Sequence, residues 1–137
     1  MAKIITLIAL IMLPLATGCS AVTDARAQVC ANMKGLTQNV ADVSTAVKDS
    51  STKLTVGDLK TKLKPVRDIV NTVRPVASAA GADQLVTTLG AALDGVDKAL
   101  EGTADTASLS TVADKLTGPI DEVQKSFDGV LARLCPA

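Results

Sequence analysis

The sequence predicts an all-α protein, an antiparallel up-down four-helix bundle. In four successive segments the apolar residues recur at alternating spacings of three and four, which places them on one face of a helix. Polar or glycine-containing stretches separate these segments, and Phe127 is the only aromatic residue in 137. Helices of roughly 20 to 27 residues joined by short loops pack as antiparallel neighbours.

The first predicted helix begins near Thr23 or Asp24, either of which can cap it. It ends before the polar cluster at 49–52, which has turn chemistry. The residues expected to face the core are Val22, Val29, Met33, Leu36, Val40, Val43 and Val47.

The second predicted helix begins after Thr55, because Asp58 follows at the position that completes a capping box. Pro65 removes a backbone donor, so a kink or a break is expected there. Pro75 and Gly81 are expected to mark the end of the helix. The core-facing residues are Leu59, Leu63, Val66, Val70, Val73 and Ala77.

The third predicted helix extends from Asp83 to Glu101. Gly90 and Gly95 weaken it by about 1 kcal/mol each relative to Ala, unless a neighbouring helix needs their small size. The core-facing residues are Val86, Leu89, Leu93, Val96 and Leu100.

The fourth predicted helix follows a loop at 102–108 and is disturbed, with a kink, near Gly118 and Pro119. Its start resembles that of the second helix, since Thr-Val-Gly-Asp at 55–58 is echoed by Thr-Val-Ala-Asp at 111–114. Either a duplicated hairpin or shared helical composition explains this echo. The core-facing residues are Leu109, Val112, Leu116, Ile120, Val123, Phe127, Val130 and Leu134.

Composition argues against several function classes. The chain has 14 basic and 14 acidic residues and no His, Trp or Tyr. It therefore lacks the basic excess and the stacking aromatics of nucleic-acid binders, the commonest zinc ligand and the usual catalytic base. The adjacent acids Asp121 and Glu122 point about 100° apart on a helix, as on a solvated face. We expect a non-enzymatic protein without cofactor or metal; carboxylate or Ser–Lys catalysis is the weakest alternative.

The distribution of charge is uneven. Residues 53–74 contain six cations against two acids, a local net charge of +4, whereas residues 75–137 contain four cations against nine acids. Two interpretations stay open for the cations of the second helix. They form a partner-binding basic face, or they complement acidic neighbours such as Asp83, Asp94, Asp97 and Glu101 within the bundle. The candidate face consists of Lys60, Lys62, Lys64 and Arg67.

The N-terminus has the organisation of an export signal. Lys3 precedes an apolar run at 4–13 that only Thr6 interrupts, and small residues follow Pro14 and Leu15. About 18 apolar residues are needed to cross a bilayer as a helix, so this run is too short.

The segment Leu15-Ala16-Thr17-Gly18-Cys19 resembles the lipobox of bacterial lipoproteins, in which small residues precede an acylated cysteine that becomes the mature N-terminus. The resemblance covers the first 19 residues only. It implies a cleaved signal at 1–18, diacylglycerol and palmitate on Cys19, a tether at 19–23 and a bundle domain at 24–137. The alternative is ordinary secretion, with cleavage after Ala21 or Ala27.

The number of cysteines agrees with this resemblance. Three is an odd number, and exported proteins usually pair their cysteines. With Cys19 acylated, Cys30 and Cys135 remain, near the start of the first helix and the end of the fourth, which an up-down bundle places together. They are expected to form a disulfide; two buried thiols are the alternative.

We therefore expect a membrane-anchored envelope lipoprotein whose bundle binds or scaffolds a partner without catalysis. It would be exported and held on a bacterial cell membrane or outer membrane, facing the periplasm or the exterior. Its partners would be the membrane, through the lipid anchor, and an envelope protein, but no nucleic acid. The Val- and Ala-rich stripes indicate a packed core. A cavity that carries a lipid or another small apolar ligand would use the same residue types, and this is the alternative function.

Overall fold

A computed structural model describes the backbone of residues 15–135 and the side chains of residues 24–135. Within this part of the chain lie four α-helices and one short 3₁₀ turn. Their bounds are α1 Leu15–Lys48, α2 Val56–Ala79, α3 Asp83–Leu100, the turn Leu109–Thr111 and α4 Ala113–Leu134. The predicted all-α class is confirmed.

The helices pack in a closed square. Helix α1 contacts α2 and α4, and α3 also contacts α2 and α4. Because short connections reverse the chain between consecutive helices, this is the predicted antiparallel up-down bundle. One end of the bundle holds the 49–55 and 101–112 connections. The opposite end holds the α2–α3 turn, the C-terminus of α4 and the part of α1 near residue 26.

The core is one continuous apolar cluster formed by all four helices. The predicted stripes of α2, α3 and the 109–134 segment are buried at every position. In α1 the stripe is buried except at Leu36, which is half-buried, and at Val22, whose side chain lies outside the described residues. Val56, Ile69 and Val76 of α2 are buried as well, because they flank the predicted stripe on its two sides.

The prolines do not break their helices. Pro65 and Pro75 lie inside α2, which continues to Ala79, and Pro119 lies inside α4. The prediction that Pro75 marks the end of the helix is therefore wrong, as is a break at Pro65. Each proline removes only one N–H donor, whereas unwinding α2 would expose buried residues on both sides of Pro65. The kinks at Pro65 and Pro119 stay predictions.

Two helix starts also differ from expectation. Helix α1 continues through Thr23 and Asp24, so neither caps it, and residues 19–34 contain no Pro or Gly that would end the helix. The fourth helix begins at Ala113, after the 3₁₀ turn, because the hydroxyl of Ser108 accepts a bond from the Ser110 amide and starts the turn earlier. Thr111 is thus not the equivalent of Thr55, which weighs against a duplicated hairpin.

The start of α2 has the predicted capping box. The Thr55 hydroxyl accepts a hydrogen bond from the Asp58 amide, and the Asp58 carboxylate accepts one from the Thr55 amide at 2.9 Å. The backbone and side-chain bonds from Thr55, with a smaller contribution from the charge of Lys62, lower the pKa of Asp58. The carboxylate thus stays ionised, which favours the helix N-terminus.

The two connections at one end of the bundle are hydrogen-bonded to each other. The Leu109 amide donates to the Leu54 carbonyl at 3.0 Å, and the Val56 amide donates to the Ala107 carbonyl at 2.9 Å, around an antiparallel bridge between Thr55 and Ser108. The Gly57 amide donates to the Asp105 carbonyl at 2.8 Å. We call this end, formed by residues 49–55 and 101–112, the loop end.

At the opposite end, α2 stops at a glycine in the left-handed region. Gly81 has φ of +68°, its amide donates to Ser78, and the Ala82 amide donates to the Ala77 carbonyl at 2.8 Å. This pattern is a Schellman motif, in which glycine avoids the steric cost of positive φ. It reverses the chain into α3 within three residues, and the prediction that Gly81 marks the end of the helix is confirmed.

Cys30 and Cys135 form a disulfide at this same end, with their Cα atoms 5.6 Å apart. The predicted pairing is confirmed, and the alternative of two buried thiols is excluded. The bond joins α1 to the residue that follows α4. We call this end the disulfide end.

Reducing this disulfide should lower the free energy of unfolding by up to about 4–5 kcal/mol, because the two cysteines are 105 residues apart and the crosslink restricts a long unfolded loop. Urea unfolding of the purified protein with and without reductant measures the loss. The variant with both Cys30→Ser and Cys135→Ser is the control, since reductant should not change its midpoint. Identical midpoints for oxidised and reduced wild type would contradict the expectation.

Replacing Gly90 or Gly95 by Ala should raise the free energy of unfolding by about 0.5–1 kcal/mol through helix propensity. A Cβ at either position would meet its nearest neighbour at 3.9 Å, so neither close approach requires glycine. Gly57→Ala is the matched control and should destabilise, because its Cβ would lie 3.2 Å from the Asp105 carbonyl oxygen. Thermal unfolding measures all three variants; stabilisation by Gly57→Ala would contradict the assigned loop packing.

Candidate functional site

Arg26 locks the beginning of the bundle to its end. Its Nε donates to the Leu134 carbonyl at 2.7 Å, and its Nη2 donates to the Arg133 carbonyl at 3.4 Å. These carbonyls belong to the last turn of α4, where no further helical amide can bond to them. The guanidinium also offsets the partial negative charge at this helix end. Arg26 therefore reinforces the connection made by the disulfide, from a position one turn earlier in α1.

Cys19, the predicted acylation site, lies in the helical backbone of α1, seven residues before Arg26. Its side chain lies outside the described residues, and so do residues 1–14 of the predicted signal at 1–18. Because α1 enters the bundle at the disulfide end, the predicted anchor, Arg26 and the disulfide belong to the same end of the molecule. Within residues 15–135, no helix is both long and apolar enough to cross a membrane.

Two of the four predicted basic-face residues are engaged inside the protein. Arg67 Nη1 lies 2.6 Å from Asp97 Oδ2, and its Nη2 donates to the Leu93 carbonyl at 3.3 Å, which joins α2 to α3. Lys60 Nζ lies 2.6 Å from Asp105 Oδ1 and joins α2 to the loop end. Asp97 is one of the acidic neighbours named from the sequence, whereas Asp105 is not.

The other two residues have no carboxylate within ion-pair distance among the described side chains. Lys64 is exposed and Lys62 is half-buried. At about 100° per residue, Lys62 lies on the opposite side of α2 from Lys60 and Arg67, with Lys64 near the latter pair. The four residues therefore do not form one face. A partner that contacts Lys64 would find the neighbouring charges of Lys60 and Arg67 already paired with Asp105 and Asp97.

The sequence predicts that Asp121 and Glu122 lie on a solvated helix face rather than converge on one substrate. Both residues are exposed, and Asp121 Oδ1 lies 2.8 Å from Lys48 Nζ, which joins α4 to the end of α1. Among the described residues, no three His, Cys, Asp or Glu side chains are grouped in a way that could hold a metal ion. No buried side-chain polar atom of residues 24–135 lacks a hydrogen-bond partner.

Two open grooves indent the described surface. The first, of about 480 Å³, lies between α1 and α2 beside the small residues Ala31 and Gly35, with Leu36, Pro65 and Ile69 as its apolar lining. The second, of about 500 Å³, follows α3 beside Asp94, Asp97 and Glu101. Both open to solvent rather than into the core. Because charged residues line the second groove, the first is the one of the two that has an apolar lining suited to a small hydrophobic ligand.

The sequence-based reasoning missed two residues that shape these sites. Arg26 lies four residues before Cys30 and therefore on the same face of α1. That spacing is a usable signal once the disulfide is expected. Asp105 had no comparable signal, because its approach to Lys60 depends on pairing between two loops distant in sequence.

Comparison of the chain with protein-family models, with curated proteins and with solved structures finds no match.

Replacing Arg67 by Ala should lower the free energy of unfolding by about 1 kcal/mol, because it removes a partly exposed ion pair and a bond to a backbone carbonyl. Lys64→Ala, one turn away on the same helix, is the matched control and should change stability by less than about 0.5 kcal/mol. Urea unfolding at low and high salt checks both variants. Equal effects would show that Arg67 does not connect α2 to α3.

Proposed function

We propose that this protein is a bacterial envelope lipoprotein, acylated on Cys19, whose helical bundle binds or scaffolds a partner beside the membrane. One observation supports it most strongly. The disulfide uses Cys30 and Cys135, so the third cysteine is Cys19, which lies in the lipobox-like segment. A cysteine at the end of an export signal, outside the structural disulfide, is what acylation requires.

The contacts of Arg26 bear on the site of cleavage. Cleavage after Ala27 would remove Arg26, and with it the two bonds to the carbonyls at the end of α4. Cleavage before Cys19 removes residues 15–18, the first turn of α1, but keeps these bonds. Cleavage after Ala21 would keep them too, so the choice between Cys19 and Ala21 depends on the lipobox-like residues.

The bundle surface supports binding rather than catalysis as the proposed activity. The chain contains no His, and its cationic and acidic residues are largely on helix surfaces, three pairs of them joined as exposed or half-exposed ion pairs. The exposed Lys64 is available for an envelope protein with an acidic surface. Such a contact would add modest affinity and faster association, which suits a scaffold.

The alternative function is transport of a small apolar ligand or a lipid. The α1–α2 groove favours it, because Leu36, Pro65 and Ile69 provide an apolar lining of suitable size. A single acyl chain would remain partly exposed to water in this open groove. The bundle would then have to separate α1 from α2 to shield the ligand, and for that reason scaffolding is preferred.

Replacing Cys19 by Ser should abolish membrane anchoring. We expect wild type, produced with its signal in a bacterium that acylates lipoproteins, to enter the detergent phase with the mass of a chain that begins at residue 19 plus lipid. The Cys19→Ser protein should lack the lipid mass and remain in the aqueous phase. Ser20→Ala is the matched control and should behave as wild type, because it keeps the cysteine.

An unacylated wild type that begins at Val22 or Gln28 would overturn the proposal in favour of ordinary secretion. The same preparation separates scaffold from carrier. A native mass spectrum with a lipid bound non-covalently, and lost when Gly35→Leu fills the groove, would favour the carrier.

A further inference from the structure

Helix α1 continues without interruption from the predicted anchor into the bundle. It extends from Leu15 to Lys48, so Cys19 and the core residue Val29 belong to one helix. Residues 19–34 include four Ala and no Pro or Gly, and alanine has the highest intrinsic helix propensity. The residues between Cys19 and the bundle are thus suited to a stiff connection rather than a flexible one.

The base of this helix is fixed to the bundle in two places. The disulfide holds Cys30 to Cys135, and one turn earlier Arg26 holds the carbonyls at the end of α4. A helix that is bonded at two successive turns cannot pivot at the point where it joins the other helices. The direction in which α1 leaves the bundle is therefore set by the bundle itself.

We infer that α1 acts as a rigid stand that holds the bundle upright on the membrane, with the disulfide end toward the bilayer and the loop end away from it. This inference rests on the proposed acylation of Cys19. The inferred orientation specifies which surface of the bundle a partner can reach. It also predicts which cationic residues lie too far from the anchoring bilayer to contact its head groups.

Helix geometry sets the distances. At about 1.5 Å per residue, Arg26 stands about 10 Å from Cys19, and Lys48 at the loop end stands about 44 Å from it. Helix α2 returns from the loop end, so Lys62 and Lys64 stand about 30 Å from the anchor. Electrostatic attraction to lipid head groups decays over a Debye length of about 8 Å. The free lysines of α2 are therefore out of reach of the anchoring bilayer.

A partner that meets the exposed Lys64 must accordingly approach from the compartment above the membrane. Its chemistry is acidic, and an envelope protein with a carboxylate-rich surface fits. The bonds between the two connections at the loop end keep that end ordered, so it can be presented as a defined surface.

Energy transfer to lipid tests this arrangement. A donor fluorophore is attached through a non-natural residue in place of Gln28, near the disulfide end, or in place of Ser51, at the loop end, both of which are exposed. The acylated full chain is placed in vesicles of phosphatidylcholine and phosphatidylglycerol that contain an acceptor lipid. Transfer should be strong from position 28 and weak from position 51, and a higher phosphatidylglycerol content should leave the weak signal unchanged.

The second measurement uses a variant in which the helix of the stand is interrupted. Ala25→Pro removes one helical bond before Arg26, at an exposed position that contributes nothing to the core. It should raise transfer from position 51 by letting the bundle tilt, whereas the matched control Ala25→Ser should not. The thermal midpoint by far-ultraviolet circular dichroism confirms that both variants stay folded.

The outcomes separate the two proposals. Equal transfer from positions 28 and 51 in acylated wild type would mean that the bundle lies along the membrane, and this would overturn the stand alone. Equal transfer from position 51 in Ala25→Pro and Ala25→Ser would also overturn it. The absence of lipid mass in the same sample would overturn the acylation of Cys19 and the stand together.

Discussion

Burial of one apolar stripe per helix is the constraint on which the rest of this structure depends. Phe127 is the only aromatic residue of the core, and the other buried apolar side chains are Val, Leu, Ile, Ala and Met, each of which buries a small area. The helices must therefore be long and continuous to bury enough apolar surface. This explains why α2 persists through Pro65 and Pro75, since the stripe on both sides of each proline contributes to the core.

Features that depend on local periodicity were predictable from the sequence. The spacing of three and four identified the buried stripes, and the Thr55–Asp58 pair and Gly81 identified the start and end of α2 because caps and positive-φ turns need those residue types. The disulfide followed from combining the cysteine count with an up-down topology. The predicted boundaries that are wrong, at Thr23 or Asp24, at Pro75 and at the start of the fourth helix, are places where local propensity was weaker than packing or an added turn.

Apart from the disulfide, contacts between individual residues that are distant in sequence were not predicted. The contact between Arg26 and Leu134 spans 108 residues, and the bridge between Thr55 and Ser108 joins two loops that show no shared pattern. The local net charge of +4 at residues 53–74 is a sum, and it does not tell on which side of α2 each cation lies. The helical angle separates Lys62 from Lys60 and Arg67, and two of these cations are neutralised by acids that the fold brings near.

The Cys30–Cys135 bond also decides how the protein responds to a mechanical load. A tension applied between the segment before Cys30 and the residues after Cys135 passes through the sulfur–sulfur bond, and the helices between them bear none of it. A tension applied at the loop end, by contrast, is transmitted along α1 and α2 through their hydrogen bonds and packing. The molecule is therefore covalently strong when pulled by its termini and only as strong as its helix packing when pulled by its loops.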